Sequence, residues 1–84
     1  MKVIFMNDAW DDYLHWQQVD KSILKKINGL IKEIFRTPFE GTGKPEALRE
    51  NLAGFWSRRI NLEHRLVYKV EQEAVVILQC RYHY

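Results

Sequence analysis

Cysteine is nearly absent from this chain: Cys80 stands alone among 84 residues. A single thiol permits no internal disulfide and no cysteine-based metal cluster, so a small core must hold itself together by packing. Glycine and proline are sparse, at four and two residues, and no repeat, low-complexity stretch or linker interrupts the sequence. One domain over residues 1–84 is therefore expected. No apolar run approaches the roughly 20 residues that cross a bilayer. The opening MKVIFMNDAW turns acidic and aromatic too soon for a secretory leader. These absences predict a soluble, cytoplasmic protein with no membrane contact. Charge of one sign is missing too, because thirteen Lys and Arg face eleven Asp and Glu and leave a net charge of +2. That balance does not announce nucleic acid by itself.

What is present is globular: 46% apolar, 13% aromatic and 29% charged residues. Residues 2–6 (KVIFM) read as a short buried strand. Asn7 or Asp8 can cap a helix whose Trp10, Tyr13 and Leu14 recur at helical spacing. Asp20 caps a second helix with Ile23, Ile27, Leu30, Ile31 and Ile34 on one face, and Lys21, Lys25, Asn28 and Lys32 on the opposite stripe. Thr37-Pro38 ends it, since the residue before proline leaves the helical region. Residues 38–45 form a loop, followed by a helical turn at Glu46–Arg49. From Phe55 the period changes to two, which predicts strands at 55–60, 65–70 and 74–82 with tight turns near Asn61–His64 and Glu71–Glu73. The predicted class is α+β, with an N-terminal helical hairpin packed on one face of an antiparallel sheet in the order β-α-α-β-β-β.

Strand parity sorts the charges. Five of the six arginines lie in residues 44–84. On the last two strands the even positions Leu66, Tyr68, Val70, Val76, Leu78 and Cys80 read as the core face. If both turns preserve parity, Arg59, Arg65, Arg81 and His83 share the other face. Like charges gathered on neighbouring strands are destabilising, so such a face suits an anion, with phosphate first. Trp10, Trp16 and Trp56 are expected in the core, and the lysine stripe is expected to be a solvated helix face.

Most chemistries find no support. His15, His64 and His83 are scattered without metal-ligand spacing, and Asp8, Asp11 and Asp12 suit a helix start better than a magnesium site. Gly41 and Gly43 make no phosphate loop, and neither Ser22 nor Ser57 has a nucleophile's setting. RNA, however, carries its own nucleophile in the 2′-hydroxyl, so a base, an acid and a cation suffice for its cleavage. Glu46 beside Lys44 and Arg49 is the candidate base, His83 the candidate acid and Arg65 the candidate cation. From the residues alone, a phosphate-binding sheet is reached and an enzyme is not.

The stretch KPEALRENLAGFWSRRINLEHRLVYKV (44–70) and the terminal CRYHY (80–84) closely resemble the YoeB family of the RelE/ParE toxin superfamily. WDDYLHWQQVDK (10–21), KKIN (25–28) and RTPFEGTGKPE (36–46) extend the likeness over the whole chain. The resemblance implies the RelE-like fold and a ribosome-dependent mRNA endoribonuclease that cuts in the decoding site and halts translation. It implies Glu46 as general base, Arg65 as the cation on the pentavalent phosphate and His83 as general acid, with Arg59 and Tyr84 joining the RNA site. Arg49 stands where YoeB carries lysine and is expected to contact RNA, although a guanidinium and an ammonium are not equivalent there. No metal or cofactor is implied. The implied partners are a cognate YefM-type antitoxin, the ribosome and its mRNA, with a homodimer left open. Two other readings remain: a module that blocks translation by occupying RNA or ribosome without cutting, and the gyrase poisoning known elsewhere in the superfamily.

Overall fold

A computed structural model of the chain describes residues 1–83. In chain order the elements are β1 (Lys2–Phe5), α1 (Asn7–Val19), α2 (Lys21–Arg36), β2 (Glu46–Ala47), β3 (Trp56–Arg59), β4 (Arg65–Glu71) and β5 (Ala74–Gln79), with a single 3-10 turn at Glu50–Leu52. The strands form one sheet in the order β1-β5-β4-β3-β2. This is the expected α+β arrangement, a helical hairpin against a mostly antiparallel sheet. Among the described residues, no helix is long and apolar enough to cross a membrane.

The helical hairpin follows from one residue. Asp20 is the only link between α1 and α2, and its carboxylate accepts from the Ser22 N–H at 3.0 Å and the Ile23 N–H at 3.3 Å. These bonds satisfy donors that a helix start leaves without partners, and they hold the Asp20 carboxyl below the usual range, the Ser22 hydroxyl contributing most. The first helix has no such cap. It begins at Asn7 behind Met6, with no side-chain bond at its start, so neither Asn7 nor Asp8 acts as the expected cap.

The core lies between the helices and one face of the sheet. Trp16, Ile27, Leu30, Ile31 and Ile34 pack with Leu66, Tyr68, Val75, Ile77 and Cys80. Each fully buried aliphatic side chain contributes about 1.5–3 kcal/mol by leaving water. Trp56 packs against this cluster while partly buried. Trp10, expected inside, is 46% exposed and instead stacks with Tyr13 along the outside of α1. The stripe of Lys21, Lys25 and Lys32 is exposed as expected.

Three strand expectations need correction. First, β1 is an edge strand pairing parallel to β5, with Val3 and Ile4 exposed: the strands β2 to β5 alternate in direction, and β5 is the one that runs beside β1 with the same sense. Second, Glu46–Ala47 is not helical: it pairs antiparallel with β3, with Glu46 opposite Ser57. The helical turn falls later, at Glu50–Leu52. Third, β5 does not alternate evenly. The β3–β4 turn preserves parity, placing Arg59 opposite Arg65. The β4–β5 turn has only two residues and inverts parity, so Val70 faces Val75 and Tyr68 faces Ile77. Val75 and Ile77 therefore enter the helix-side core where Val76 and Leu78 were expected. A bulge between Val67 and Tyr68 leaves Leu78 without a partner and restores parity, with Val67 opposite Gln79.

Candidate active site

The face of the sheet turned away from the helices carries a row of paired residues crossing four strands: Glu46, Ser57, Val67 and Gln79. Directly paired residues share a face, so this row is fixed by backbone register. One step along, Arg59 and Arg65 face each other. Arg65 ties the two rows together. Its Nη2 donates to Glu46 Oε1 at 3.0 Å and its Nε donates to the Ser57 hydroxyl at 2.5 Å. Arg65 is 9% exposed, whereas the Glu46 side chain is 58% exposed. A buried, pre-aimed guanidinium thus stands under an accessible carboxylate. Arg59 is exposed, and among the described residues its guanidinium has no hydrogen bond or ion pair.

Glu46 owes its place to the loop before it. The Gly43 carbonyl accepts from the Arg59 N–H at 2.7 Å, which pins the loop to the edge of β3 just ahead of β2. Gly43 has φ +86°, and a Cβ there would lie 2.8 Å from the Arg59 carbonyl oxygen. Only glycine fits both conditions.

Beneath the loop lies a residue that reading for surface cations overlooked. Arg58 is fully buried. Its Nε donates to the Tyr68 hydroxyl at 3.1 Å, its Nη1 to Glu33 Oε1 at 2.9 Å and to the Thr42 carbonyl at 3.3 Å, and its Nη2 to the Thr37 and Glu40 carbonyls at 2.6 and 2.9 Å. These bonds occupy all the donors a guanidinium has. The Tyr68 hydroxyl donates onward to the Pro38 carbonyl at 2.7 Å, and Glu33 Oε1 also accepts from the Thr42 N–H at 2.6 Å. The Glu33 carboxyl is held below the usual range first by that Thr42 N–H and then by Arg58. Tyr68 is pushed up by burial. A signal for Arg58 existed in the sequence: it shares the parity of Leu66, its core-facing partner.

The C-terminal tail, expected to continue β5, leaves the sheet at Gln79 and turns. Tyr82 has φ +63°, a left-handed conformation that a non-glycine residue holds only when its surroundings fix it. Several residues do so. The Trp16 indole donates to the Cys80 carbonyl at 2.9 Å, and Asp12 Oδ2 accepts from the Cys80 N–H at 3.0 Å. The Gln79 amide donates to the Arg81 and His83 carbonyls at 3.3 and 3.1 Å. The Arg65 N–H donates to the Tyr82 carbonyl at 3.1 Å, and His64 Nδ1 accepts from the Tyr82 N–H at 2.8 Å. His64, buried in the β3–β4 turn, received no role from the sequence. Burial of the Asp12 carboxyl pushes it up, against the pull of the Cys80 N–H and Arg81.

The turn corrects two side-chain placements. Arg81 does not lie on the face of Arg59 and Arg65, since its guanidinium sits over the rings of Trp16 and Tyr82, 6.0 and 4.6 Å from their centres. His83 is exposed and reaches its position through the folded tail, not through strand alternation. It borders an open cleft together with Asp8, Asp11, Asp12 and Tyr82. Its backbone follows the Tyr82 carbonyl, which the Arg65 N–H holds beside the start of β4. Arg49 is exposed on the loop between β2 and β3, before the 3-10 turn. Tyr84 lies outside the described residues. Among the described residues, no three His, Cys, Asp or Glu side chains converge on a point that could hold a metal.

An α+β domain with a carboxylate and two arginines set on the open face of its sheet, and a histidine-bearing tail folded beside them, has the architecture of solved bacterial toxins. The chain has a TM-score of 0.97 to the YoeB/ParE toxin from Agrobacterium tumefaciens, at 49% identity with both chains fully covered. The Staphylococcus aureus YoeB dimer gives 0.94 at 50% identity and its YoeB-YefM complex 0.93 at 49%, each covering 100% of this chain and 98% of the other. Toxin YoeB of Escherichia coli (strain K12) is 63% identical over 84 residues, spanning all of both chains. The profile of the YoeB-like toxin of bacterial type II toxin-antitoxin system matches residues 5–84. The chain belongs to the YoeB-like toxins of type II toxin–antitoxin systems.

Proposed function

We propose that this toxin is a ribosome-dependent endoribonuclease that cuts mRNA in the decoding site and thereby inhibits translation. The observation that carries the reading is the Glu46–Arg65 pair, 3.0 Å apart across the sheet and open to solvent on the carboxylate side. In the reaction, Glu46 takes the proton of the ribose 2′-hydroxyl as the 2′-oxygen attacks the adjacent phosphorus. Arg65, with Arg59 facing it, carries the negative charge that grows on the non-bridging oxygens. The bond from phosphorus to the 5′-oxygen breaks, and His83 gives that oxygen its proton. The products are a 2′,3′-cyclic phosphate and a free 5′-hydroxyl. Arg49 and Tyr84 contribute RNA contacts.

The same reading supplies the partners. The Staphylococcus aureus relative was solved with YefM and as a dimer. A YefM-type antitoxin covering the basic face, and a second copy of the toxin, are the protein partners proposed here. The ribosome supplies the mRNA in the cytoplasm.

The test is to map RNA ends on translating ribosomes with the wild type and with Glu46→Ala, Arg65→Ala and His83→Gln. Defined cuts bearing cyclic phosphate, lost in all three folded variants, are the expected result. Translation arrest with intact message would identify a blocker that works by occupancy and would overturn the enzymatic reading.

A further inference from the structure

The tail bearing His83 is held by the Gln79 amide at the Arg81 and His83 carbonyls, and it is gripped on both sides of Tyr82. The Tyr82 carbonyl accepts from the Arg65 N–H at 3.1 Å, and the Tyr82 N–H donates to His64 Nδ1 at 2.8 Å. Two consecutive residues where the turn enters β4 thus hold both polar groups of Tyr82, which keeps its left-handed φ of +63°. His64 is itself held at its backbone and at its ring. Asn61 Oδ1 accepts from the His64 N–H at 2.7 Å, the His64 carbonyl accepts from the Ile60 N–H, and the ring meets Trp16 edge-on at 4.8 Å.

An Nδ1 that accepts a hydrogen bond carries no proton, so the ring's hydrogen is on Nε2, 3.6 Å from Glu63 Oε1. A second proton has only Nδ1 to go to, where it would meet the Tyr82 N–H donor to donor. The charged and titratable groups around the ring are few. Glu63 approaches from the turn, Arg81 lies over the flanking Trp16 and Tyr82 rings, and α1 presents His15 against Trp16 and Asp12 against the Cys80 N–H.

We propose that His64 is a positioning residue whose unprotonated Nδ1 sets where His83 stands, and that protonation of this ring releases the tail. The inference rests on His83 being the proton donor, but its central measurement does not. His64→Phe keeps an aromatic ring against Trp16 and removes the acceptor. His64→Asn keeps an acceptor oxygen near the place of Nδ1 and cannot take up a proton.

In amide exchange by NMR on the full chain, the Tyr82 N–H should lose protection in His64→Phe and keep it in His64→Asn. In the wild type it should lose protection on acidification, in step with the His64 ring signals. In single-turnover cleavage on saturating ribosomes, His64→Phe should slow the cut by about 10²-fold with half-saturation unchanged, as a displaced proton donor would. His64→Asn should recover most of that rate and lack the part of the acid-side decline that follows the ring. An equally protected Tyr82 N–H in His64→Phe and in acid would overturn the proposal, whatever the cleavage results, as would an asparagine variant no better than phenylalanine. If the exchange results hold but His83→Gln cuts normally, the positioning role stands and the role of His83 as acid fails.

Discussion

Arg59 and Arg65 stand directly opposite each other on neighbouring antiparallel strands, two cations at a position where sheets favour opposite charges. The pair differ in surroundings. Arg65 is buried and held by Glu46 and Ser57, while Arg59 is exposed. Glu46 offsets a like-charge contact in the free protein, and the proposed reaction gives it a second task, to offer its carboxylate to the ribose.

Glu46→Ala separates these tasks. The ion pair is largely solvated on the carboxylate side, so removing it should change folding stability by no more than about 1 kcal/mol, read by urea unfolding. Cleavage on programmed ribosomes should fall by about 10²–10⁴-fold, the usual contribution of a general base. A large stability loss would show that the residue serves the fold first.

Arg58 should behave in the opposite way. Arg58→Met strips partners from three loop carbonyls and leaves Glu33 without its cation. Breaking a buried pair of this kind costs about 3–5 kcal/mol, and calorimetry should show it.

The acid side of the stability profile should follow Glu33. Its carboxyl is depressed in the folded state by the Thr42 N–H and then by Arg58. A depressed carboxyl stabilises the fold above its unfolded value, and that contribution is lost as pH falls through the lower folded value. Unfolding free energy should therefore decline as pH drops below the ordinary glutamate range, and Glu33→Gln should flatten this decline. An unchanged slope in the variant would assign it to other carboxyls.

Gly43→Ala places a Cβ 2.8 Å from the Arg59 carbonyl at a φ of +86°. The expected loss is about 1–3 kcal/mol in unfolding free energy, with a further fall in cleavage because Glu46 follows three residues later. Reduced stability with cleavage intact would show that β2 holds Glu46 without the loop.

Cys80 should be chemically silent. Burial, with Asp12 nearby, pushes its thiol up to about 12. Native protein should resist alkylation at neutral pH and react only when unfolded, as mass spectrometry would show.

Much of the fold was legible because it rests on local signals. Asp20 ahead of a run of isoleucines at helical spacing specifies α2, and a turn centred on Leu62 specifies the β3–β4 register that sets Arg59 against Arg65. What escaped depends on long-range context. The two-residue pairing of Glu46–Ala47 with β3 is too short for a periodic signal. The inversion at the β4–β5 turn and its reversal at Leu78 leave a sequence that still alternates, so Val76 and Leu78 looked like core while Val75 and Ile77 occupied it. Of the candidate site, Glu46, Arg59 and Arg65 fall on one face as parity and register demand. Arg58 and His64 look like surface residues until their partners, distant in the chain, are brought to them.

The bulge at Leu78 has a consequence for how this strand tolerates change. It divides β5 into two segments with separate duties: Val75 and Ile77 serve the helices, and Gln79 serves the tail. Leu78 is the residue that has no partner, so deleting it should join Ile77 opposite Tyr68 directly to Gln79 opposite Val67 and leave both side chains on their present faces. A one-residue slip of the whole strand against β4 would instead exchange its duties, turning Val75 and Ile77 away from the helices.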